Sequence, residues 1–348
     1  MNDNDFPALG APIKRKPAAV QQQPAYKPAA TTSAAAAVVQ QQQPAPSKVQ
    51  YQPSTAPGGV VKPTTTYHIA DIGANLADKQ FDRDFDQLLQ RASGKGVNTI
   101  VMTGTSIPSS RKAIELIEAK QEVFKRFGVT VYSTYGVHPH SAERAPANTC
   151  QEIREMAKKY PHIVKAVGEC GLDFNRNFSS HQSQMDMFER QIEVAVELGL
   201  PLFLHERDAH KEFVQVTNKF VSAGKMPKAV VHCFTGIEKE ADVYLKMGFY
   251  FGFTGVITQD KRGETLRKIL SSRKIPLNRI MIETDCPYMT PHNLPAADKL
   301  KKGGDRHIRN EPSYLPCVLS TLAQCYGISE EEAANQTLAT TKEFFNLN

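Results

Sequence analysis

Short apolar segments alternate with longer amphipathic segments from residue 67 onwards. The short segments are rich in Val, Ile, Phe and Tyr, and there are eight of them. They span 67–73, 98–104, 130–136, 163–169, 200–205, 229–233, 249–255 and 279–285. Nearly continuous apolar runs are typical of parallel strands that are buried on both faces. Eight such strands alternating with helices over residues 67–348 predict an α/β fold, a TIM-like (β/α)₈ barrel.

The segment between the fourth and fifth runs, residues 180–198, has the clearest helical pattern. Apolar residues such as Phe188, Ile192 and Ala195 recur at spacings of three and four, and Gly199 ends the pattern. A doubly wound open sheet is the alternative architecture for this alternation. That fold usually carries a glycine-rich phosphate loop, and neither common form of the motif occurs in the sequence. The barrel is therefore the favoured fold.

The first 66 residues differ in composition from the rest of the chain. They contain ten of the 22 prolines, an alanine run at 34–37 and glutamine runs at 21–23 and 40–43. Such a segment cannot bury enough apolar surface to offset the entropy lost on ordering. We therefore expect residues 1–66 to be a disordered Ala/Pro/Gln-rich tail, whose partners the sequence does not identify. Residues 67–348 are expected to form one domain.

Charge and hydropathy exclude several classes of protein. Residues 67–348 hold 36 basic and 34 acidic side chains, so bulk charge does not predict a protein that coats nucleic acid. No stretch reaches the roughly 18 apolar residues of a membrane span. Six cysteines without a Cys-x-x-Cys pair predict reduced thiols. We expect a cytoplasmic protein with no membrane partner, and the Lys-Arg-Lys run at 14–16 suggests the nucleus as a second compartment.

Several of the eight runs end in or near a side chain that can bind metal or move a proton. These side chains are Asp71, His138, Glu169, His205, His232 and Asp285. The carboxyl ends of all strands in a parallel barrel open on one face, so we expect these residues to converge. Two histidines and two carboxylates would suit Zn²⁺, Mn²⁺ or Mg²⁺. The predicted metal ligands are Glu169, His205, His232 and Asp285.

A divalent ion at this rim would lower the pKa of a bound water molecule and polarise the scissile bond. The protein would then need mainly to position a general base beside the ion. The predicted catalytic residues are Asp285, His138 and Glu169. Asp285 is the expected base. His138 is expected to orient the substrate or to protonate the leaving group, and its alternative is a structural loop histidine.

Cysteines follow three of the predicted ligands by one residue, at Cys170, Cys233 and Cys286. Successive side chains of a strand point to opposite faces. If the ligands face the barrel mouth, these thiols should face the helix layer. They are therefore predicted to be packing residues and not metal ligands.

Polar and basic side chains also follow the same strands. They are Asn175, Arg176, Arg207 and Arg309. A guanidinium fork matches two phosphate oxygens, so several such residues at one rim make a phosphodiester substrate plausible. Each of them alone would be read as ordinary surface charge.

Six short segments at these strand ends form a recognisable series. They are Gly-Val-His-Pro-His at 136–140, Gly-Glu-Cys-Gly-Leu-Asp-Phe-Asn-Arg at 168–176, His-Glu-Arg-Asp-Ala-His at 205–210, His-Cys-Phe-Thr-Gly at 232–236, Glu-Thr-Asp-Cys-Pro-Tyr at 283–288 and Arg-Asn-Glu-Pro at 309–312. In this order they resemble the motifs of the TatD-type metal-dependent deoxyribonucleases, of the TatD branch of the amidohydrolase-like barrels. Residues 1–66 are outside the resemblance.

The resemblance implies a barrel that hydrolyses DNA phosphodiesters with a divalent cation, often as a 3′–5′ exonuclease on single strands, in DNA repair or DNA degradation. It implies that Glu169, His205 and His232 ligate the metal and that Asp285 is both ligand and base. We expect Mg²⁺ first, with Mn²⁺ or Zn²⁺ as alternatives, and DNA as the substrate partner.

The first strand departs from the family pattern. Many members have a His-x-His pair there, whereas Gly73 and Asn75 stand at those positions in this chain. Glycine has no ligand atom, and an amide oxygen is a weaker donor than imidazole. The departure predicts one tightly held ion, with a second ion arriving together with substrate phosphate.

Two other functions are compatible with the sequence. The same barrel and ligands would serve an amidohydrolase acting on a small amide or ester. Many two-zinc amidohydrolases bridge their metals with a modified lysine at the fourth strand end, where this chain has Glu169. The second alternative is a non-catalytic scaffold with a degraded first-strand site, whose tail recruits partners.

Overall fold

The computed structural model describes residues 67–296, 298 and 308–347, so the predicted tail lies outside the described residues. All eight predicted strands are present, and they form one parallel sheet in the order β1 to β8. Their bounds are β1 Ile69–Ala74, β2 Val97–Met102, β3 Thr130–Tyr135, β4 Val164–Asp173, β5 Leu202–Arg207, β6 Ala229–Val231, β7 Tyr250–Phe253 and β8 Ile280–Ile282.

The sheet closes just beyond the end of β8. Ala74 pairs in parallel with Cys286, and the Asn75 amide donates a hydrogen bond of 2.9 Å to the Cys286 carbonyl. The predicted barrel is therefore confirmed. Closure brings the carboxyl end of β1 beside the segment that carries Asp285.

At least one helix follows every strand, as a (β/α)₈ barrel requires. The described helices are α1 Phe85–Gly94, α2 Ile107–Ala119, α3 Gln121–Phe127, α4 Thr149–Lys159, α5 His181–Leu198, α6 His210–Ser222, α7 Glu238–Lys246, α8 Glu264–Ser271, α9 Leu315–Tyr326 and α10 Glu330–Phe345. The helix predicted at 180–198 is confirmed as α5. The Ser180 hydroxyl caps it by accepting from the Ser183 amide, and Gly199 ends it with φ 64°.

The barrel interior is a separate apolar cluster that is closed from one end by the last helix. Phe344 and Phe345 of α10 pack against it, and the Phe344 ring lies 5.1 Å from the ring of Tyr250, the first residue of β7. The last helix therefore covers the amino ends of the strands. The interior side chains are Ile72, Val101, Ala166, Phe203, Val230, Tyr250 and Met281. The opposite rim, at the carboxyl ends, is left for a site.

The larger apolar cluster lies between the sheet and the helices. Cys170 and Cys286 belong to it, as strand alternation predicts. Cys233 differs, because its thiol lies 3.8 Å from the Thr254 hydroxyl and its backbone φ is 47°. In the part of the chain that the structure describes, no helix is both long enough and apolar enough to cross a bilayer.

Three strands end at other residues than predicted, and the differences fall at the predicted site residues. β6 and β8 each have only three residues, so His232 and Asp285 lie beyond their strands and not within them. β4 instead continues to Asp173. Glu169 is an extra residue in β4, because the register against β5 shifts between Gly168 and Cys170. A bulge of this kind redirects a side chain, and this one turns Glu169 into the mouth.

Candidate active site

One carboxylate oxygen organises the carboxyl-end rim of the barrel. Glu169 Oε1 lies 2.7 Å from His232 Nε2, 2.9 Å from His205 Nδ1 and 3.3 Å from His138 Nε2. We call these four residues the Glu169 cluster. Three of the four predicted ligands are therefore in contact, and His138 joins them from the loop after β3.

The charges inside the Glu169 cluster depend on each other. Burial would raise the pKa of Glu169, but His232 and His138 hold it well below its usual range. Burial works against a charged His232, yet the carboxylates of Glu169 and Glu283 raise its pKa well above normal. The cluster therefore contains an ionised carboxylate paired with a protonated imidazole, which is a charge arrangement that a cation could replace.

His138 is the neutral member of the cluster. Burial lowers its pKa to about 4, against the attraction of Glu169. The His140 amide donates to His138 Nδ1 at 3.1 Å, so the ring proton of the neutral form is on Nε2. His138 therefore presents an N–H to the mouth.

A second carboxylate, Asp173 at the end of β4, supports the cluster from outside. Its Oδ2 lies 2.8 Å from His140 Nε2 and 3.4 Å from His205 Nε2. Burial lowers the pKa of His205, but the Asp173 and Glu169 carboxylates outweigh it and raise that pKa to about 9. Sequence reasoning missed Asp173 and His140, although both lie inside the quoted motifs.

Glu283 is the third carboxylate of the site and the second that sequence reasoning missed; it is fully buried directly after β8. Its Oε1 accepts from the Cys233 amide, and its Oε2 lies 3.4 Å from His232 Nδ1. Two glycines make room for it: a Cβ at Gly73 would lie 2.2 Å from Oε2, and one at Gly252 would lie 2.4 Å from Oε1. Glu283 therefore fixes His232 from the side opposite to Glu169.

Asp285 follows β8 in a left-handed backbone conformation with φ 51°. Its Oδ1 accepts from Asn75 Nδ2 at 3.0 Å. Burial raises its pKa to about 7, with His232 opposing the shift and Glu169 adding to it. The Asp285 carboxylate is therefore within electrostatic range of His232 and Glu169. Asn75 stands where many family members have the second histidine of the His-x-His pair, and in this chain its amide orients Asp285.

Asp71 does not join the convergence that its strand position predicts. It is fully buried, and its carboxylate accepts from the Thr284 amide at 2.9 Å and from the Thr284 hydroxyl at 2.6 Å. Its role in the structure is to tie β1 to the segment between Glu283 and Asp285.

The four predicted phosphate-binding residues have different surroundings. Arg176 and Arg207 are half-buried on neighbouring strand ends, and no described residue pairs with either guanidinium. Asn175 Nδ2 donates to Asp208 Oδ2 at 2.7 Å. Arg309 makes two hydrogen bonds of 2.8 and 2.7 Å to Asp84. The prediction grouped Arg309 with phosphate ligands, but in the structure its guanidinium is engaged in this internal ion pair.

The donor set at the mouth fits a divalent cation. One nitrogen or oxygen atom each from His138, Glu169 and His205 lies within 4.8 Å of the other two, although the proton on His138 Nε2 makes that ring a hydrogen-bond donor and not a ligand in this tautomer. His205 Nε2 is buried and makes no hydrogen bond to any described residue, although Asp173 Oδ2 lies 3.4 Å away. A cation that displaced the ring proton, or an ordered water, would give this nitrogen a closer partner. Imidazole and carboxylate donors together suit Mg²⁺, Mn²⁺ or Zn²⁺.

Comparison with known proteins agrees with this geometry. The family described as "TatD related DNase" matches residues 70–346. The chain belongs to this family. The resemblance of the six motifs is thereby confirmed, and the TatD family is named for a nuclease activity.

TatD relatives match over nearly their full length. The "3′-5′ ssDNA/RNA exonuclease TatD" of Enterobacter lignolyticus is 40% identical over 277 residues, which are 80% of this chain and 98% of the relative. A solved TatD family hydrolase from Entamoeba histolytica is 28% identical with a TM-score of 0.70, covering 82% of this chain and 100% of that one. A TatD homologue from Escherichia coli is 25% identical, with a TM-score of 0.68 and coverage of 80% and 98%.

Proposed function

We propose that this TatD-family chain is a divalent-metal-dependent deoxyribonuclease that removes nucleotides from the 3′ end of single-stranded DNA. The observation that carries the proposal is the convergence of three imidazole nitrogens on Glu169 Oε1 at the open rim. Support comes from relatives named 3′-5′ exonucleases. The cytoplasm is the proposed compartment, which agrees with the buried thiols of Cys170 and Cys286.

The proposed metal ligands are the four predicted residues, Glu169, His205, His232 and Asp285. Mg²⁺ is the proposed ion, with Mn²⁺ and Zn²⁺ as the alternatives to be tested. When bound, the ion would polarise a phosphodiester oxygen and acidify a water molecule. Replacing the ion pair of Glu169 and His232 by a cation would also release the proton that this imidazole holds.

Asp285 is the proposed general base, and His138 is the proposed hydrogen-bond donor to the substrate. The Asp285 carboxylate, oriented by the Asn75 amide at 3.0 Å, would accept the proton of the attacking water. His138 offers its Nε2–H, because the His140 amide occupies Nδ1. That N–H would donate a hydrogen bond to the phosphate or to the leaving oxygen.

Arg176 and Arg207 are the proposed phosphate ligands, since neither guanidinium has a partner among the described residues. A guanidinium fork binds two phosphate oxygens of the nucleic-acid backbone. Asn175 is proposed as a neighbouring phosphate contact through the second N–H of its amide nitrogen, because the first N–H is donated to Asp208 Oδ2.

The proposal is tested by one series of substrates and metals. We expect the protein to be inactive after its metal has been removed with a chelator. Added Mg²⁺ should restore digestion of single-stranded DNA that carries a 5′ label, and the labelled strand should shorten from its 3′ end. Duplex DNA, RNA and a small amide are assayed in parallel. Amide hydrolysis without nucleic-acid hydrolysis would favour the amidohydrolase. No activity, no bound ion and no increase in melting temperature on adding Mg²⁺ or Mn²⁺ would favour the scaffold.

A further inference from the structure

The exposed apolar surface of the described chain is concentrated at the rim of the Glu169 cluster. Three large apolar side chains stand out in solvent, with exposed fractions of 46% for Phe178, 51% for Ile237 and 37% for Tyr288. They follow β4, β6 and β8, so all three extend from carboxyl ends of strands. Large apolar groups left exposed at a single rim indicate a binding surface.

Phe178 lies in a hydrogen-bonded loop although its ring is exposed. The neighbouring Ser179 is buried, and its hydroxyl donates to the His140 carbonyl at 3.1 Å and accepts from the Glu143 amide at 3.1 Å. The Phe178 ring makes an edge-to-face contact with His140, with ring centres 4.9 Å apart. His140 in turn contacts the His138 ring at 4.3 Å. A row of rings therefore runs from the cluster out to Phe178.

Tyr288 is fixed in a similar way. Its amide donates to the Asp285 carbonyl at 2.9 Å, and its own carbonyl accepts from Asn310 Nδ2 at 2.6 Å. Asn310 is fully buried. Burial raises the pKa of the Tyr288 phenol, the carboxylates of Asp78 and Asp285 raise it further, and Arg176 lowers it. The backbone hydrogen bonds hold Tyr288 three residues beyond Asp285, and its phenol is within electrostatic range of Arg176.

The order of the strands separates the two aromatic side chains. In a closed ring of eight strands β4 and β8 are half a turn apart, so the loops after them begin on opposite sides of the mouth. The imidazoles of the Glu169 cluster lie between them. A substrate whose scissile bond reaches the cluster can therefore touch an aromatic ring on each side.

We propose that Phe178 and Tyr288 are stacking surfaces for nucleobases of single-stranded DNA on the two sides of the scissile phosphate. This inference rests on the proposed nuclease function and names how its substrate is held. Every base has a face that stacks on an aromatic ring, so such surfaces accept any sequence. Bases inside a duplex are already stacked on their neighbours, so two protein rings favour single strands. Because both rings sit on hydrogen-bonded backbone, little ordering entropy is lost on binding.

Binding of a fluorescein-labelled 12-nucleotide oligothymidylate, followed by anisotropy in chelator, tests the inference without cleavage. We expect Phe178→Ala and Tyr288→Ala each to raise Kd about tenfold, in line with the loss of one base-stacking contact. Phe178→Trp and Tyr288→Phe should stay within about twofold of the wild type, since they keep the ring. Ile237→Ala is the matched control, exposed at the same rim but without a ring, and should also stay within about twofold.

A second oligothymidylate, with abasic sites in place of its last two 3′ nucleotides, separates stacking from a change in fold. The wild type should bind it as weakly as the Phe178→Ala/Tyr288→Ala chain binds the intact strand, and the two alanine substitutions should add no further loss. The inference is overturned if the wild type does not bind the intact strand, or if the alanine variants bind the intact strand as tightly as the wild type does. It is also overturned if the alanine substitutions weaken binding of the abasic strand as much as they weaken binding of the intact strand. If DNA binds by stacking but is not cleaved with any metal, only the proposed nuclease function fails.

Discussion

Replacing Glu169 by Gln should lower kcat/KM on single-stranded DNA by about a thousandfold or more. The substitution keeps the shape of the side chain but removes the charge on which three imidazole nitrogens converge. It also removes a proposed ligand, so the ion and the orientation of His232 and His205 are weakened together. Losses of this size, about 4 kcal/mol in transition-state stabilisation, are typical when a charged group acts in a preorganised site.

Glu189→Gln provides the matched control for this substitution. Glu189 lies on α5 and pairs with Lys219 on the protein surface, so its loss should leave activity unchanged within about twofold. Asp285→Asn should be nearly as inactive as Glu169→Gln, because the proposed base is then lost. If Glu169→Gln or Asp285→Asn digests DNA as fast as the wild type, the assignment of the chemistry is wrong.

Replacing Gly73 by Ala should lower the free energy of unfolding by about 2–3 kcal/mol. The new Cβ would lie 2.2 Å from Glu283 Oε2. On its other side the carboxylate accepts a hydrogen bond from the Cys233 amide, so a shift away from residue 73 would weaken that bond. Either the strand or Glu283 must move, and moving a buried carboxylate away from its donors is costly.

A double-mutant cycle isolates this close packing, and urea denaturation measures it. In a Glu283→Ala background the same Gly73→Ala substitution should change the unfolding free energy by less than about 0.5 kcal/mol, because the opposing oxygens are gone. An equal loss in both backgrounds would contradict the view that Glu283 is what requires a glycine at residue 73. The same cycle tests why residue 73 of the first strand is glycine where many family members have histidine. In this chain the buried Glu283 carboxylate fills the space beside Gly73.

The barrel could be predicted from the sequence because its strands are nearly continuous apolar runs. Parallel strands covered on both faces leave that pattern wherever they occur, so all eight were placed correctly, and Ser180 and Gly199 marked the ends of α5. The convergence of Glu169, His205 and His232 followed from topology alone. No contact between particular residues was needed to predict it.

Other features depend on contacts between distant segments, which leave no local pattern. The register shift that makes Glu169 a bulge is a property of β4 paired with β5. Glu283 looked like part of an apolar strand end, and only the glycines on two other strands show why it can be buried there. The ion pair of Arg309 with Asp84, 225 residues away in sequence, also left no local pattern, and phosphate binding by Arg309 stays a prediction.

The central claim is that side chains from four strands hold one cation at the rim, and electron paramagnetic resonance of Mn²⁺ tests it most directly. Titration of the metal-free protein should give one tightly bound Mn²⁺ per chain, with spin-echo modulation from the ¹⁴N nuclei of His205 and His232. Glu169→Gln should release that ion into solution at the same concentration. A wild-type chain that binds no Mn²⁺, or binds it without nitrogen modulation, would contradict the account.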